Sequence, residues 1–365
     1  MNGQRKVMEV NKLKWEENVR KIVPYVAGEQ PKSTDVIKLN TNECPYPPAP
    51  GVVKAEAEMN TDDLRLYPDT NATPLVNALA EYYHVKPSQI FVGVGSDDVI
   101  SVAFLTFFYG GKPILFPDVT YSFYDVWADL YRIPYKTIPL DENWHINPAD
   151  YKQECGGIIF PNPNAPTGLF ESLDTVEEII RSNPDVMVIV DEAYVDFGGE
   201  SALSLLDKYD NLLVVRTFSK SRAMAGLRIG FCIGSERMIS YLNDVKFSIN
   251  SYTMNLPAQF LGVEAVKDDA YFKSTIQKII NTRERVKKEL TELGFTFPDS
   301  KANFIFASHK TVPAKEIFLA LREKNIFVRH WDKPRIDNCL RITIGTDAQM
   351  DALIAFLKEY LKDRA

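Results

Sequence analysis

Val214-Val215-Arg216-Thr217-Phe218-Ser219-Lys220-Ser221-Arg222-Ala223-Met224-Ala225-Gly226-Leu227-Arg228-Ile229-Gly230 decides how this chain is read. The stretch opens on an apolar run, the pattern of a buried strand. It breaks into a polar turn carrying Lys220 between Ser219 and Ser221, then closes at Gly226-Leu227-Arg228-Ile229-Gly230 before a second apolar run, Phe231-Cys232-Ile233. A lysine just past a strand end, beside hydroxyls and with Arg228 further along, suits a covalent amine nucleophile next to a phosphate site. The competing reading is an ordinary surface lysine in a loop.

Upstream, from about residue 51, apolar runs alternate with helical patterns. Gln89-Ile90-Phe91-Val92 ends in Gly93-Val94-Gly95-Ser96-Asp97-Asp98, and a helical pattern follows. Pro113-Ile114-Leu115-Phe116 precedes an expected helix over 121–131 and an expected strand over 133–138. Gly157-Ile158-Ile159-Phe160 ends in a proline-rich turn, and Val186-Met187-Val188-Ile189-Val190 ends in Asp191-Glu192. Strands this apolar are covered on both faces, which predicts an α/β fold built on a mainly parallel sheet. In such sheets ligands sit outside the carboxyl ends of the strands. Each polar cluster named above falls at such an end.

Downstream of about 255 the texture changes to an α+β pattern. Helices are expected over 260–266, 271–293 and 313–323, and from 347 onward. Strands are expected at Asn303-Phe304-Ile305-Phe306, Ile326-Phe327-Val328-Arg329 and Leu340-Arg341-Ile342-Thr343-Ile344. At the other end, residues 1–45 hold a short amphipathic segment around 13–23. Prolines 45, 47, 48 and 50 then mark a stiff crossing. The expected division is an arm over 1–45 that joins the small domain, a large domain over 46–254 and a small domain over 255–365.

The chain has 365 residues, of which 45% are hydrophobic and 25% charged, an ordinary globular composition. A formal net charge of −7 argues against a nucleic-acid or acidic-membrane partner. Cys44, Cys155, Cys232 and Cys339 are scattered, without a C-x-x-C pair, and there are only 4 histidines, so no metal site is expected. Scattered thiols fit a reducing compartment. The opening residues show no apolar signal core. The longest nearly apolar run, 99–109, falls far short of the ~20 residues of a membrane helix. The expectation is a cytoplasmic enzyme.

Several turns carry chemistry beside their blander readings. Glycines in Gly93-Val94-Gly95-Ser96-Asp97-Asp98 let a backbone approach a ligand, and free N–H groups at a helix start suit a phosphate. Acid-capped glycine turns are also common without a ligand. The run lacks both the G-K-[ST] and the G-x-G-x-x-G spacing. Asn162-Pro163-Asn164-Ala165-Pro166-Thr167-Gly168 is either a structural turn or a loop that aims an amide at a ring hydroxyl. Asp191 at a buried strand end needs a cationic or N–H partner. Arg341 stands within an apolar run and cannot shed its charge, so it calls for an anion or an ion pair. Arg329 and Arg335 lie nearby in sequence.

Taken together, these motifs resemble the fold-type I, pyridoxal-phosphate-dependent aminotransferases over nearly the whole chain. The narrower likeness is to the histidinol-phosphate aminotransferase family. Tyr25, Asn40-Thr41-Asn42-Glu43, Leu66-Tyr67-Pro68, Ser219-Lys220, Ala225-Gly226-Leu227-Arg228-Ile229-Gly230 and Cys339-Leu340-Arg341-Ile342-Thr343-Ile344-Gly345-Thr346 carry it. The resemblance implies a large domain with a mainly parallel seven-stranded sheet and a smaller α+β domain. It implies Lys220 as the Schiff-base lysine, Asp191 on the pyridinium nitrogen and Tyr194 on the ring hydroxyl. Gly95, Ser96, Asp97, Ser219 and Arg228 would hold the cofactor phosphate, and Tyr121 would stack on the ring. Tyr67 would reach the phosphate of a neighbouring subunit, which implies a homodimer. Tyr25, Asn42, Arg329 and Arg341 would face the substrate. One departure stands out: the family has asparagine immediately before Pro-Thr-Gly, where this chain has Ala165. The expectation is that Asn164 swings in to the ring hydroxyl instead.

The implied reaction passes an amino group from L-histidinol phosphate to 2-oxoglutarate, with Lys220 moving the Cα proton. An arginine fork suits phosphate and carboxylate alike, so one pocket can serve both substrates. No residue in the sequence reads imidazole by itself. Three alternatives share the pattern: an aromatic amino-acid aminotransferase, a phosphothreonine-type decarboxylase and a non-catalytic ligand-sensing module. The retained Lys220, without any preceding DNA-binding helical domain, argues against the last.

Overall fold

The structure, a computed structural model, describes residues 14–31, 33, 35–362 and 364. Leu13, where the expected amphipathic segment begins, lies outside the described residues. Within them, Lys14–Asn18 forms a short 3-10 turn with no buried residue.

The chain then runs β1 (Ile37–Lys38), α1 (Pro50–Glu58), α2 (Thr73–Tyr83), β2 (Ile90–Val94), α3 (Ser96–Phe107), β3 (Ile114–Pro117), α4 (Tyr124–Tyr131) and β4 (Tyr135–Ile138). Next come β5 (Gly157–Pro161), α5 (Leu173–Ser182), β6 (Val188–Asp191), β7 (Leu212–Thr217), β8 (Ile229–Ile233), α6 (Glu236–Ile249) and α7 (Leu256–Lys267). It closes with α8 (Asp269–Glu292), β9 (Phe295–Thr296), β10 (Phe304–His309), α9 (Ala314–Glu323), β11 (Ile326–Phe327), β12 (Arg329–His330), β13 (Leu340–Thr343) and α10 (Asp347–Leu361).

Seven strands form the large sheet, in the order β2-β8-β7-β6-β5-β3-β4. All are parallel except β8, which pairs antiparallel with both β2 and β7. Every residue of β5, β6 and β7 is buried, because helices cover both faces. Their side chains alternate between two cores. Ile189, Leu213 and Val215 pack on one side with residues of α3, α4 and α6, whereas Val188, Val190, Leu212 and Val214 pack on the other with Val176, Ile179 and Ile180 of α5. Helix α5 starts where Ser172 accepts the backbone N–H of Thr175. Each of its three buried aliphatics contributes roughly 1.5–3 kcal/mol. Strand β4, at the sheet edge, keeps only Ile138 buried.

The reversal of β8 has a consequence for the site. The carboxyl ends of β2, β3, β5, β6 and β7 share one edge of the sheet, and β8 begins at that edge, so Arg228 arrives beside them. Gly230 permits the close pairing, since a Cβ there would collide with the backbone of Gly95 and Ser96.

The small unit is a four-stranded antiparallel sheet, β12-β13-β10-β9, backed by α8, α9 and α10. Strand β1 joins it by pairing in parallel with β11. The run expected as one strand over 326–329 is split at Val328, because β11 pairs with β1 and β12 with β13. Helix α7, expected in the small domain, packs on α1 and α2 over Ile90, Val92, Ile229 and Phe231 of the large sheet. By this packing the chain changes partners near Asp268, one helix later than the expected 254/255 boundary. Texture alone could not locate this, since an amphipathic helix does not announce which neighbour it covers.

Candidate active site

The cleft forms at the shared sheet edge. Ser96, Asp97, Tyr121, Asp191, Tyr194, Ser219, Lys220 and Arg228 line one cavity of about 530 Å³, together with Pro161, Ala165, Ala193 and Thr217. Ser96 opens α3, and its N-cap is Gly95, at φ +86°, which offers no side chain to cap the first turn. The N-terminal N–H groups and positive dipole end of α3 therefore face the cavity. The Arg228 guanidinium lies beside this turn, 3.0 Å from Oδ2 of Asp97. Tyr121 donates its hydroxyl to the other Asp97 oxygen at 2.8 Å, which holds its ring over the cavity. This end of the cleft offers what a dianionic phosphate needs: unpaired N–H groups, two serine hydroxyls and an arginine.

Asp191 ends β6 at 4% exposure. Its oxygens accept the Tyr124 hydroxyl at 3.0 Å and the Ala193 N–H at 3.2 Å. Burial nonetheless pushes its carboxyl up to about 6, with the Tyr124 and Ala193 hydrogen bonds opposing. A buried carboxylate so poised is stabilised by a cation placed against it. Lys220 leaves β7 and extends Nζ to the Thr41 carbonyl at 3.2 Å, with the Tyr194 ring centroid 5.8 Å away. Neighbouring Glu192 turns away into an ion pair with Arg216 at 3.1 Å and belongs to the scaffold.

Tyr121, Ala165 and Tyr194 also line a second, larger cavity of about 970 Å³ that reaches Tyr25, Asp125, Trp331 and Arg341. Arg341 donates to the Asn40 carbonyl at 3.0 Å, its Nε is buried without a partner, and its guanidinium lies 5.2 Å from the Trp331 ring. Burial lowers its pKa, with Arg329 adding like charge. Among the described residues no carboxylate neutralises it, so this wall of the pocket is prepared for an anion. Tyr25 stacks on Phe123 at 4.5 Å.

Five expected site residues stand outside both cavity linings, and one of them, Gly95, backs the first cavity as the N-cap of α3. Arg329 donates to the carbonyls of Val26 and Ala27 and tethers the N-terminal arm. Asn42 is 1% exposed and holds Tyr194 rather than facing the pocket. Tyr67 is 80% exposed and stacks on Tyr252 at 4.4 Å. Asn164 does not swing toward the cleft. Its amide donates to the Val119 carbonyl at 3.0 Å and to the Thr167 hydroxyl at 3.1 Å, while Ala165 lines the wall. Sequence reasoning passed over Tyr124 as a partner of Asp191, because Tyr124 opens α4 and only the packing of that helix on β6 brings the two together. Among the described residues no helix is long and apolar enough to cross a membrane, and no cluster of three His, Cys, Asp or Glu could hold a metal.

A family model described as aminotransferase class I and II matches residues 34–357. The histidinol-phosphate aminotransferase of Lactococcus lactis subsp. cremoris (strain MG1363) is 52% identical over 352 residues, covering 96% of this chain and 99% of that one. The enzyme of that name from Brachyspira hyodysenteriae is 50% identical over 348 residues, covering 95% and 98%. Among solved structures, the histidinol-phosphate aminotransferase of Clostridium acetobutylicum superposes with a TM-score of 0.83 at 22% identity, covering 90% of this chain and 100% of that one. That of Sinorhizobium meliloti, in complex with pyridoxal-5'-phosphate, gives 0.80 at 23% identity, covering 89% and 91%. At such identities the structural likeness speaks for the fold.

Proposed function

The chain belongs to the class I and II aminotransferases, and from that premise we propose that it transfers the amino group of L-histidinol phosphate to 2-oxoglutarate, a step of histidine biosynthesis that yields imidazole-acetol phosphate and L-glutamate. The observation that carries this reading is the meeting of Lys220, Asp191 and Arg228 on one cavity that shares Tyr121, Ala165 and Tyr194 with a pocket walled by Arg341.

The cofactor is pyridoxal 5'-phosphate, and the residues fit it. The uncapped start of α3, with Ser96, Ser219 and Arg228, would hold the phosphate. Asp191 would supply the buried carboxylate that a protonated ring nitrogen needs, and Tyr194 would offer its hydroxyl to the ring oxygen. When bound, the group supplies an aldehyde carbon for the amine and a ring that withdraws electrons from the substrate's Cα. Lys220 would hold the cofactor through Nζ, and its free amine would carry the proton at the substrate's Cα. Asp191 would keep a proton at the ring nitrogen. Tyr121 would cover the ring face and exclude water from it. Arg341, with Tyr25 on the arm that Arg329 tethers, receives the phosphate of one substrate and a carboxylate of the other.

The protein works as a homodimer. Leu64, Leu66, Tyr67, Ile249 and Tyr252 are all exposed large hydrophobics, at 53%, 52%, 80%, 61% and 45%. Such a surface calls for a partner, and Tyr67 then reaches the phosphate end of the partner's cleft. The four free cysteines suit the cytoplasm.

The test is a donor panel with 2-oxoglutarate, reading glutamate formed. Histidinol phosphate is expected to exceed phenylalanine and tyrosine. The aromatic lining of the outer pocket also suits those two donors, so faster turnover of either would replace the proposed substrate. Carbon dioxide release without an acceptor would point to a decarboxylase. Borohydride is expected to trap the cofactor on Lys220, and a protein that stays colourless with added pyridoxal phosphate would overturn the assignment.

A further inference from the structure

Three consecutive residues of the N-terminal segment each engage a different member of the site. The Asn40 carbonyl accepts from Arg341, the Thr41 carbonyl from Lys220, and the Asn42 side chain reaches Tyr194. The last contact carries the most chemical information.

Asn42 Nδ2 donates to the Tyr194 hydroxyl oxygen at 2.9 Å. The orientation of this amide follows from its other partners. The Asn42 backbone N–H donates to Thr343 Oγ1 at 3.0 Å, and the Thr343 hydroxyl donates to Asn42 Oδ1, also at 3.0 Å. With the amide oxygen committed to Thr343, the amide N–H is left for Tyr194. Asn303 clamps the same residue by donating to the Asn42 carbonyl at 3.0 Å. Asn42 sits at φ +56°, a conformation that asparagine tolerates better than most residues. The phenol oxygen of Tyr194 thus receives a hydrogen bond from behind, and its own proton is left to point into the cleft that it lines.

We propose that Asn42 is a positioning residue that turns the Tyr194 hydroxyl proton into the cleft, with Thr343 fixing which way the Asn42 amide faces. A donor aimed at the cofactor's ring oxygen favours its anionic form. The role is sharper here because Ala165 offers no second amide at the cleft wall and the Asn164 amide is committed elsewhere. The sheet of the small unit, through Thr343 on β13, thereby sets a proton on the large unit.

The inference rests on the reading of this cleft as a pyridoxal-phosphate site. Its test is the pH at which the visible absorbance of the bound cofactor titrates, measured on purified holoenzyme. Asn42→Asp preserves shape and tolerates the same backbone, but its oxygen accepts from Tyr194 and draws the proton away. The midpoint is expected to rise by about 1 pH unit, the size of one lost hydrogen bond to a charged oxygen. Thr343→Val is expected to shift it the same way by freeing the amide to flip, and Thr343→Ser to leave it unchanged. In a Tyr194→Phe background, Thr343→Val is expected to add nothing. A holoenzyme of either Asn42→Asp or Thr343→Val that titrates at the wild-type pH overturns this inference alone. A wild-type protein that takes up no cofactor overturns the functional reading, and this inference with it.

Discussion

Tyr124 donates its hydroxyl to Oδ2 of Asp191 at 3.0 Å, beneath the floor of the cleft. The bond tempers a carboxyl that burial has pushed up to about 6. A carboxyl raised in this way binds its proton more tightly in the folded chain than in the unfolded one. Its contribution to stability is fully present below the ordinary carboxylate range and is lost as pH rises through about 6. In cofactor-free protein, Asp191→Asn is therefore expected to be more stable than wild type at pH 8, by on the order of 2–3 kcal/mol, with the difference shrinking toward pH 4. Urea unfolding of both proteins across this range checks it. The holoenzyme is expected to reverse the order at pH 8, because the ring cation then pairs with the carboxylate.

Arg341 is predicted to set affinity for the anionic end of both substrates. Arg341→Lys keeps the charge but loses the fork and the reach of two parallel donors. The expected result is a KM about 10–100-fold higher for histidinol phosphate and for 2-oxoglutarate, the range for one lost charge-assisted pair. Steady-state kinetics with each substrate varied in turn measure it. Inorganic phosphate should raise the thermal midpoint of wild type more than that of the variant.

Asn164 separates two accounts of the ring oxygen. With its amide on Val119 and Thr167, Asn164→Ala is expected to cost roughly 1–3 kcal/mol of stability. The absorbance titration of the bound cofactor should stay where it is, whereas Tyr194→Phe should move it upward. A shift in Asn164→Ala holoenzyme would restore Asn164 to the ring.

Arg335 ties the loop between β12 and β13 to the large unit. Its guanidinium meets Asp118 at 2.5 Å and donates to the carbonyls of Leu140 and Asp141 at 3.0 Å each. The same loop carries Trp331, which lies 5.2 Å from both Arg329 and Arg341. Arg335→Ala is expected to cost about 1–2 kcal/mol in urea unfolding and to raise KM more than it lowers kcat. A kcat loss with unchanged KM would count against this role.

The parts of the fold set by local chemistry were legible in the chain. The apolar runs that open β5, β6 and β7 announced a covered sheet, and the polar residues that follow them, Asn162, Asp191 and Ser219 among them, announced the edge where a ligand sits. The helix expected at 121–131 begins only at Tyr124, because the residues before it form the turn that brings Tyr121 over the cleft. The strand expected from 133 begins at Tyr135, after Pro134. These are boundary shifts within elements read correctly.

What the sequence by itself determined is the chemistry at each strand end: a lysine after β7, a carboxylate closing β6, a glycine turn before α3. Periodicity and turn composition are properties of neighbouring residues, so they survive without a fold. Only the tertiary structure decided which distant groups meet. Asn42 finds Thr343 at a separation of 301 residues and Tyr194 at 152. Asn164, next to the expected position, faces away, and α7 covers the large sheet rather than the small one. The physical reason is that a hydrogen bond or a packed face is fixed by distance and angle in space. A chain records which groups are available, and the closure of two sheets around the cleft chooses among them.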